Sequence, residues 1–549
     1  MTRIDADLHS DSNAVSDSVT ATTEQGQLFT LAGRRVLVLG LGESGCAMAR
    51  WAHRSGAQLT LADTRSADGG DLPALARLRT ELGDVAFFGG EPVKQWLDNI
   101  DLVAWSPGLS IETGVSGEFY RTALESGVEV VGELDLFVQG LARLRESGYA
   151  PKLIAITGTN GKTTTTAMTA HLLRVAGQSV CAAGNIGPAM LDALMQAMDA
   201  GALPAIWVLE LSSFQLAIAA PLQADAAALL NLSQDHFDWH TSFETYRLAK
   251  QRIFGQRTHR VYNRDDEATI PEALKAEQAA RPVESVGRRR ATKSGRSLAL
   301  SAVPSSSFGL DQPTQPGAFG LVVDGPLVWL ARAQGDDAAE SSGAAGEAVN
   351  VRMMRLMPVD ALHLRGRHNQ ANVMAALALA CAVGVPLARL LHGLRTYTGE
   401  PHRCQLVHQV RGVSFFDDSK GTNVGATAAA LQGLGVRCHL IAGGDGKAQD
   451  FSPLALPVSQ HAVAVYLIGR DADRIRQALT SCGVPLIDCD DLRQAVDAAA
   501  RAAQAGEAVL LSPACASFDM FRNYAHRAEV FVEAVRDYVG ACDLSEALA

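Results

Sequence analysis

The sequence predicts an α/β protein of three domains, each built on a mostly parallel sheet covered by helices. From Arg34 onward, apolar runs typical of buried strands alternate with helical stretches that end at glycines. This pattern begins three times, at RRVLVLG, KLIAITG and GVSFFDD. The length of 549 residues agrees with three or four domains of about 100–200 residues each.

Composition narrows the function before any motif is considered. The 48 Lys+Arg against 59 Asp+Glu give a net charge of −11, with no basic stripe to neutralise a nucleic acid. The nine cysteines form no CxxC pair, and no apolar run approaches the roughly 18–20 residues that span a bilayer. We therefore expect a cytoplasmic enzyme, with residues 1–27 as a disordered polar tail.

The first α/β unit carries a glycine-rich turn. Gly40, Gly42 and Gly45 form GxGxxG between the strand RRVLVLG and the helix SGCAMARWAHRSG, and Asp63 follows the next strand. From the residues alone, this pattern is a dinucleotide fingerprint and favours an NAD-dependent oxidoreductase. The same geometry serves any diphosphate, so a second class of ligand stays open.

The second unit contains the most informative segment, KLIAITGTNGKTTTTAMTAHLL. A buried strand leads into Gly158, Gly161 and Lys162, and a helix begins at once. Glycines let backbone N–H groups turn towards a polyphosphate, and the helix N-terminus adds positive charge. Lys162 would reach the outer phosphates and Thr163 would bind Mg²⁺. The spacing departs from the usual P-loop, because two residues rather than four separate the first glycine from Gly-Lys.

The same unit offers a hard oxygen ligand for Mg²⁺. The apolar strand in AIWVLELSSFQL ends at Glu210, and ligands of such sheets gather at the carboxyl ends of strands. A carboxylate in so apolar a strand needs a partner, either a metal or a cation in a buried salt bridge. The sequence therefore predicts Glu210 close to Thr163.

Between about residues 287 and 349 the composition becomes typical of loops. Within this stretch, FGLVVDGPLVWLAR alternates around Asp-Gly and predicts a β-hairpin. The basic cluster at 288–290 could contact a polyanion, but a solvated loop is the favoured interpretation.

A succession of short motifs resembles the Mur ligase family. In order, they are GTNGKTT, GNIG, ELSSFQL, LNLSQDHFDWH, RGRHNQAN, PHR, DDSKGTN, GGDGK and SPACASFDMF. The resemblance extends from about Gln27 to Tyr538. ELSSFQL and SPACASFDMF favour the member that adds D-glutamate to UDP-N-acetylmuramoyl-L-alanine. The resemblance implies an ATP-dependent amide ligase of peptidoglycan precursor synthesis that forms an acyl phosphate and a tetrahedral intermediate.

The resemblance also implies roles for individual residues in catalysis and nucleotide binding. The catalytic set is Lys162, His236, Lys250 and Arg403, and the metal set is Thr163, Glu210, His236 and Lys250. ATP would be bound by Gly158, Thr159, Asn160, Gly161, Lys162, Thr163, Thr164, Asn372, Arg403 and Asp418. Lys250, in TYRLAKQRIF, matches a lysine that is carbamylated in the family, and its carbamate would hold a second Mg²⁺. From the residues alone, Lys250 would be an exposed lysine on a helix.

The substrate sites follow from the same resemblance. The UDP substrate would be bound by Gly42, Glu43, Ser44, Asp63, Thr64, Ser106, Pro107, Gly108, Asn185 and His236. D-glutamate would be bound by Lys420, Thr422, Lys447, Ser517, Phe518 and Tyr524. Tyr524 departs from the family, which commonly has an aromatic without a hydroxyl there, and Gly421 replaces a frequent alanine. The insertions around 291–316 and 334–347 exceed the family's usual length.

The expected organisation has four parts. A tail at 1–27 precedes a Rossmann-like UDP-substrate domain at 28–141, a P-loop ATP domain at 142–398 with loop insertions near 287–350, and a Rossmann-like amino-acid domain at 399–549. We expect ATP and Mg²⁺ as cofactors, and a monomer that binds no nucleic acid and has no membrane span. Two other classes stay open, an NAD-dependent oxidoreductase and a non-catalytic nucleotide sensor. The sensor is disfavoured by the presence of Lys162, Glu210 and His236, since a protein without catalytic activity would gain nothing by keeping these residues.

Overall fold

The structure of the protein is a computed structural model. It describes residues 31–67, 69–237, 239–280, 303–335, 351–364, 366–447 and 449–547. The predicted tail, the basic cluster at 288–290 and most of the predicted insertions lie outside the described residues.

The N-terminal domain is a five-stranded parallel sheet in the order β3-β2-β1-β4-β5. Its strands are β1 Arg35–Leu39, β2 Gln58–Asp63, β3 Ala86–Gly89, β4 Leu102–Trp105 and β5 Glu129–Val131. Its first four helices are α1 Glu43–Arg54, α2 Pro73–Leu82, α3 Gly114–Glu125 and α4 Glu133–Glu146. The chain changes direction across the sheet between β1 and β4, the place where ligands of such sheets bind.

A helix from later in the chain completes this domain. The first compact unit combines the described residues up to Ala150 with Pro188–Leu203 and Ile218–Ala220. Helix α6 Met190–Asp199 packs on α1 and α4 within it. The Nη1 of Arg50 lies 2.9 Å from a carboxylate oxygen of Asp192, and the Leu191 N–H donates to Glu133 Oε1 at 3.0 Å. The N-terminal domain is therefore not one contiguous stretch of sequence.

The second compact unit holds the middle and C-terminal domains, and the middle domain is built on a nine-stranded sheet. The sheet order is β14-β13-β12-β11-β10-β9-β6-β8-β7. The strands are β6 Lys152–Thr157, β7 Val180–Gly184, β8 Ile206–Glu210, β9 Ala226–Leu229, β10 His259–Asn263, β11 Ser305–Phe308, β12 Phe319–Asp324, β13 Leu327–Gly335 and β14 Val351–Pro358. The helices are α5 Lys162–Val175, α7 Ser213–Ile218, α8 Phe243–Gln251, α9 Glu272–Ala280, α10 Arg367–Ala382 and α11 Leu387–Leu394.

Two pairings in this sheet matter for the site and for the predictions. β6 and β8 are parallel neighbours, with Ile156 opposite Glu210, so the phosphate loop and this carboxylate leave the same edge of the sheet. β12 and β13 pair antiparallel, with Asp324 opposite Leu327, which confirms the predicted hairpin around Asp-Gly.

The C-terminal domain is a six-stranded sheet in the order β15-β16-β20-β17-β18-β19. Its strands are β15 Gln405–Val410, β16 Val413–Asp417, β17 Cys438–Gly443, β18 Ala462–Ile468, β19 Leu486–Asp488 and β20 Ala508–Leu511. Its helices are α12 Val424–Gly433, α13 Ala455–His461, α14 Ala472–Leu479, α15 Leu492–Ala502 and α16 Tyr524–Ala547. Only the edge strand β15 is antiparallel to its neighbour in this sheet. Leu440 and Ile441, adjacent on β17, enter two different apolar cores, because successive side chains of a strand point to opposite faces.

The three sheets confirm the predicted three-domain α/β fold. All nine cysteines are free thiols, in keeping with the absence of a disulfide framework in the sequence. Among the described helices, none has both the length and the apolar character needed to cross a membrane.

Candidate active site

The loop after β6 is shaped to hold a polyphosphate. Gly158 and Gly161 adopt φ angles of 155° and 80°, and α5 begins at Lys162. A Cβ at Gly161 would lie 2.5 Å from Asn372 Oδ1, so both the backbone angle and the space available require glycine. No side chain of the described residues caps α5, which leaves its first N–H groups directed at an anion.

Lys162 lies at the mouth of this loop. Its Nζ donates to the carbonyl oxygens of Gly158 and Thr159, at 2.9 Å each. The pKa of Lys162 is lowered, because desolvation outweighs the nearby charges of Glu210 and Asp235, which raise it. When a polyphosphate binds, Nζ can exchange these carbonyl acceptors for phosphate oxygens, and Gly158 O keeps a second donor, the Nζ of Lys250.

A cavity of about 480 Å³ opens at this loop and brings together twelve of the predicted site residues. From the middle domain it is lined by Thr159, Asn160, Gly161, Lys162, Thr163, Asn185, Glu210 and His236. Arg403, Lys420, Thr422 and Lys447 line it from the following part of the chain. Four cationic side chains therefore meet at one cavity, together with the carboxylates of Glu210, Asp235 and Asp450. The cations can bind several anionic groups, and the carboxylates can face a metal ion or an amine.

A second cavity, of about 230 Å³, shares Asn160, Gly161 and Arg403 with the first. Its remaining predicted residues are Thr164, Asn372 and Asp418. Its walls also include the apolar side chains Phe308, Leu310 and Leu364 and the polar side chains His368 and Asn369. A slot with an apolar wall and a few polar groups beside a phosphate loop fits a nucleoside.

Asp418 has an unusual environment in this second cavity. It is buried, and this desolvation raises the pKa of its carboxyl to about 7. The Ser512 hydroxyl donates to Oδ2 at 2.6 Å, and the Cys404 N–H donates to Oδ1 at 3.2 Å. The carboxyl is therefore held in place before any hydroxyl of a ligand reaches it.

Glu210 is the carboxylate that the sequence predicts beside the loop. It is 1% exposed, and its Oε1 accepts a hydrogen bond from Asn185 Nδ2 at 2.7 Å. Oε2 has no hydrogen-bond partner among the described residues. A buried carboxylate oxygen without a partner is costly, and a metal ion would satisfy it.

His236 stands opposite the loop in the same cavity. Its backbone has a φ of 59°, and its Nε2 lies 3.6 Å from Asp235 Oδ2. Its ring contacts Phe214 edge-on, with 4.7 Å between the ring centroids. Burial lowers the pKa of His236 to about 4, and the charges of Lys162 and Lys250 contribute to the lowering. The imidazole is therefore uncharged at neutral pH.

Lys250 is buried, which corrects the exposed position expected from the residues alone. It is 1% exposed, and its Nζ donates to Gly158 O at 2.9 Å and to Thr157 Oγ1 at 3.3 Å. It also lies 4.8 Å from the ring centroid of Tyr246. Desolvation lowers the pKa of Lys250 well below its usual value, and the charge of Lys162 adds to the effect. Lys250 is not among the residues that line the cavity and reaches the phosphate loop from behind.

The residues predicted for D-glutamate fall into two groups. Lys420, Thr422 and Lys447 line the cavity, whereas Ser517, Phe518 and Tyr524 do not. Phe518 is 70% exposed and Ser517 is 3% exposed. The Nζ of Lys420 lies 3.5 Å from the Tyr524 hydroxyl and 4.9 Å from the centroid of its ring. Tyr524 is thus connected to the cavity through Lys420.

In the N-terminal domain, the loops predicted for the UDP group meet at the carboxyl ends of β1 and β4. A Cβ at Gly45 would lie 1.8 Å from Gly40 O, and a Cβ at Gly40 would lie 2.8 Å from Ser106 Cβ. The glycines therefore allow α1 and the loop at 106–108 to approach the turn closely. Of the other predicted residues, Gly42, Glu43 and Gly108 are exposed, and Ser44, Thr64 and Pro107 are half-buried.

Asp63 is already engaged within this domain. Oδ2 accepts from the Leu41 N–H at 2.8 Å and from Arg65 Nη2 at 2.7 Å, and Oδ1 accepts from the Arg65 N–H at 2.9 Å. Desolvation raises the pKa of Asp63, but these hydrogen bonds outweigh it, and the pKa is lowered. A uridine contact from this carboxylate would have to share one of these acceptor oxygens.

The sequence analysis did not predict Asn423, which lines the cavity, or Arg527, which supports the nearby loops from the interior. Asn423 donates through Nδ2 to Asn160 Oδ1 at 3.1 Å, and it caps α12 by accepting the Ala426 N–H. Arg527, 1% exposed, donates to Ser419 Oγ, to Ser419 O and to Cys515 O. Asn423 lies within the motif DDSKGTN and could have been found as a helix cap, whereas Arg527 carries no local signal.

The oxygen donors near the phosphate loop are few. The described residues contain no group of three or more His, Cys, Asp and Glu side chains that could hold a metal ion. Thr163 and Glu210 line one cavity, and Glu210 has an unsatisfied buried oxygen. A hard cation held by a hydroxyl, one carboxylate and phosphate oxygens fits these residues, because Mg²⁺ usually keeps few protein ligands.

Comparison with family models identifies three matching domains. Residues 34–132 match the Mur ligase MurD-like N-terminal domain, residues 156–309 the Mur ligase middle domain, and residues 402–515 the Mur ligase glutamate ligase domain.

Curated relatives match over most of the chain. UDP-N-acetylmuramoylalanine–D-glutamate ligase of Ralstonia nicotianae is 53% identical over 514 residues, which cover 92% of this chain and 97% of that protein. The ligase of the same name from Burkholderia pseudomallei is 52% identical, covering 91% of this chain and 96% of its own length. Among solved structures, the UDP-N-acetylmuramate–alanine ligase of Thermotoga maritima has a TM-score of 0.51 at 19% identity, covering 92% of this chain and 99% of that chain. This last likeness concerns the fold alone.

Proposed function

The chain belongs to the Mur ligase family, and from this premise we propose that it joins D-glutamate to UDP-N-acetylmuramoyl-L-alanine at the expense of ATP. The observation that carries the proposal is the cavity where Lys162, Arg403, Lys420 and Lys447 converge. ATP, the alanyl carboxylate and the two carboxylates of D-glutamate are all anionic, and bringing them together requires this density of positive charge. Such a cavity has no use in hydride transfer, so the oxidoreductase alternative is set aside.

The first half of the reaction uses the phosphate loop. The backbone N–H groups at the start of α5 and Lys162 bind the β- and γ-phosphates, and Arg403 faces the charge that develops on the γ-phosphoryl group. A carboxylate oxygen of the UDP substrate attacks the γ-phosphorus, the bond to the bridging oxygen breaks, and an acyl phosphate and ADP form. Thr163 and Glu210 would hold Mg²⁺, which neutralises phosphate charge when bound.

The second half joins the amino acid. The amine of D-glutamate attacks the acyl carbon, and the tetrahedral intermediate expels phosphate. Lys420, Thr422 and Lys447 supply donors for its carboxylates, and we infer that Ser517, Phe518 and Tyr524 complete this site. His236, uncharged at neutral pH, can accept the proton that the amine loses at Nε2. The lysine charges that lower the pKa of His236 are offset once anionic substrates bind, so its basicity rises in the loaded enzyme.

We further propose a carbamate on Lys250. Desolvation lowers the pKa of its amine well below the usual value. This favours the uncharged amine, the form that adds to carbon dioxide with loss of one proton to give a carbamate anion. A carbamate there would place a new anion beside Gly158, where the amine now donates to a carbonyl. A ¹³C NMR signal of a lysine carbamate under ¹³CO₂, absent from the Lys250→Arg variant, is the expected result.

The function is tested by ADP and phosphate release from ATP with UDP-N-acetylmuramoyl-L-alanine and Mg²⁺, with and without D-glutamate. Release that requires D-glutamate and is not supported by L-glutamate is the expected result. Release with a different amino acid would keep the ligase and overturn the acceptor. Lys162→Ala should abolish turnover and leave the thermal unfolding transition unchanged, and turnover near the wild-type level would remove the loop from the mechanism.

Location and assembly follow as proposals. ATP and nucleotide-linked precursors are cytoplasmic compounds, so we propose that the enzyme acts in the cytoplasm. We also propose that it acts as a monomer. Light scattering at micromolar concentration should give the mass of one chain, and a stable dimer mass would contradict the assignment.

A further inference from the structure

Three loops of the C-terminal domain carry the residues assigned to D-glutamate. The first runs from β16 to α12 and holds Lys420 and Thr422, and the second follows β17 and holds Lys447. The third follows β20 and holds Ser517. An amino acid with two carboxylates needs donors at fixed distances from each other, so these loops must keep a fixed mutual arrangement.

We propose that Gln449 is a positioning residue that locks these three loops together and thereby sets the affinity for D-glutamate. Its Oε1 accepts the N–H of Val424, the first residue of α12, at 3.0 Å. Its Nε2 donates to Gly446 O at 3.0 Å and to Ala514 O at 2.9 Å. One side-chain amide therefore contacts the backbone of all three loops.

The orientation of this amide follows from its chemistry. A glutamine amide has two donor hydrogens and one acceptor oxygen, and the three backbone partners of Gln449 are two carbonyls and one N–H. If the amide were rotated by half a turn, its NH₂ group would face the Val424 N–H and its oxygen would face the two carbonyl oxygens. Gln449 lines the cavity, but both of its donor hydrogens are taken by the backbone. The amide therefore has no donor left for an amino-acid ligand, and we expect it to act by holding the loops.

Two of the loops contain backbone that needs such support. Lys447 and Ala514 have φ angles of 48° and 59°, in the left-handed region that non-glycine residues rarely adopt. Gln449 bonds to the carbonyl directly before Lys447 and to the carbonyl of Ala514 itself. Strained residues persist where their surroundings hold them in several ways, and this amide provides one of these restraints on each loop.

Among the described residues, backbone hydrogen bonds make the other connections between these loops. Asp445 and Ala516 exchange backbone hydrogen bonds, and the Ala514 N–H donates to Gly421 O at 3.0 Å. These bonds connect the third loop to each of the others. The bond between the second loop and the start of α12 is made by Gln449, whose own carbonyl accepts from Arg474 Nη2 at 2.9 Å.

The inference rests on the proposed function and is tested on the full chain by steady-state kinetics. Gln449→Met keeps the length of the side chain and removes all three hydrogen bonds. The KM for D-glutamate should rise by roughly 10- to 100-fold, the equivalent of one or two net hydrogen bonds. The KM values for ATP and for the UDP substrate, and kcat at saturating D-glutamate, should stay within about twofold of wild type.

The matched control is Gln432→Met on α12, whose side chain is exposed and outside the cavity. A second variant, Gln449→Glu, keeps the acceptor for Val424 and turns carboxylate oxygen towards two carbonyls, so its KM for D-glutamate should rise at least as much. A smaller fraction of folded protein would lower the apparent kcat and leave all three KM values unchanged. The split between the three KM values therefore separates positioning from stability.

The outcomes distinguish failure of the inference from failure of the function. If wild type releases no ADP that depends on D-glutamate, the proposed function fails. If wild type is active and Gln449→Met has the KM for D-glutamate of the Gln432→Met control, the inference is overturned. Equal increases in the KM values for ATP and D-glutamate would overturn it as well, because the lock would then not be confined to the amino-acid loops.

Discussion

Gly161→Ala is the substitution whose effect follows most directly from the geometry. Gly161 has a φ of 80° at the start of α5, and a Cβ there would lie 2.5 Å from Asn372 Oδ1. Gly177, beyond the other end of α5, has a φ of 88° and nothing within 4 Å of the position of a Cβ. Gly177→Ala is thus a matched control, with the same backbone strain and no steric conflict.

The magnitude has two parts. A left-handed angle costs an alanine about 1–2 kcal/mol in either variant, which lowers Tm by a few degrees, at about 2–4 °C per kcal/mol for a domain of this size. In Gly161→Ala the side chain of Asn372 must also move by nearly 1 Å and give up its 3.2 Å bond to Asn369. A displacement of that size next to the bound nucleotide can cost about 10²-fold in rate, or about 2.7 kcal/mol.

The assay is ADP release as a function of ATP concentration, with both substrates saturating, alongside thermal unfolding of each variant. Gly161→Ala should lose about 100-fold in kcat/KM for ATP, and Gly177→Ala should stay near wild type. Both variants should have a lowered Tm, and that of Gly161→Ala should be the lower of the two. If Gly161→Ala keeps kcat/KM within about threefold of the control, the close approach of loop and Asn372 is not needed for nucleotide binding.

Three further predictions concern buried charges. Arg527→Met removes the bonds to Ser419 and Cys515 and should destabilise the C-terminal domain by about 3–5 kcal/mol in urea titrations, and a loss below about 1 kcal/mol would contradict the role of the bonds. Glu210→Gln should lower turnover by about 100-fold at every Mg²⁺ concentration, and full recovery at high Mg²⁺ would remove Glu210 from the metal site. Burial raises the pKa of Glu133 from 4.5 to about 7. The contribution of the protonated carboxyl to the free energy of unfolding is therefore complete below about pH 4.5 and is lost as the pH rises to about 7. Wild type should therefore lose up to about 3 kcal/mol relative to Glu133→Gln over this range, and parallel Tm curves would refute it.

The sequence predicts those parts of the site that depend on local signals. The glycines, Lys162 and Thr163 of the phosphate loop lie where a strand meets a helix, and the structure has β6 and α5 there. The three-domain fold follows from repeated strand–helix alternation. The hairpin at Asp324 follows from turn chemistry between alternating strands.

Other features depend on contacts between distant parts of the chain and have no local signal. Lys250 has the sequence surroundings of an exposed helix residue, but α8 packs it against Thr157, 93 positions earlier. Asn423 reaches Asn160 across 263 positions. Gln449 has an ordinary loop composition around it, and its importance lies in three backbone partners that only the folded chain brings within reach. Family resemblance supplied Lys250 but neither Asn423 nor Gln449.

The late helix α6 has a consequence for the synthesis of the chain. The sheet of the N-terminal domain is complete once β5 has been made, yet α6 begins at Met190. Gly140 on α4 packs so tightly against Trp51 and Leu194 that a Cβ would lie within 3.1 Å of both side chains. The surface of α1 and α4 around Gly140 is therefore covered only after α6 has been made. At about 5–20 residues per second, the ribosome leaves it uncovered for several seconds. In a cell, the interval is an opportunity for a chaperone to bind, and a gene fragment ending at residue 150 would make it permanent.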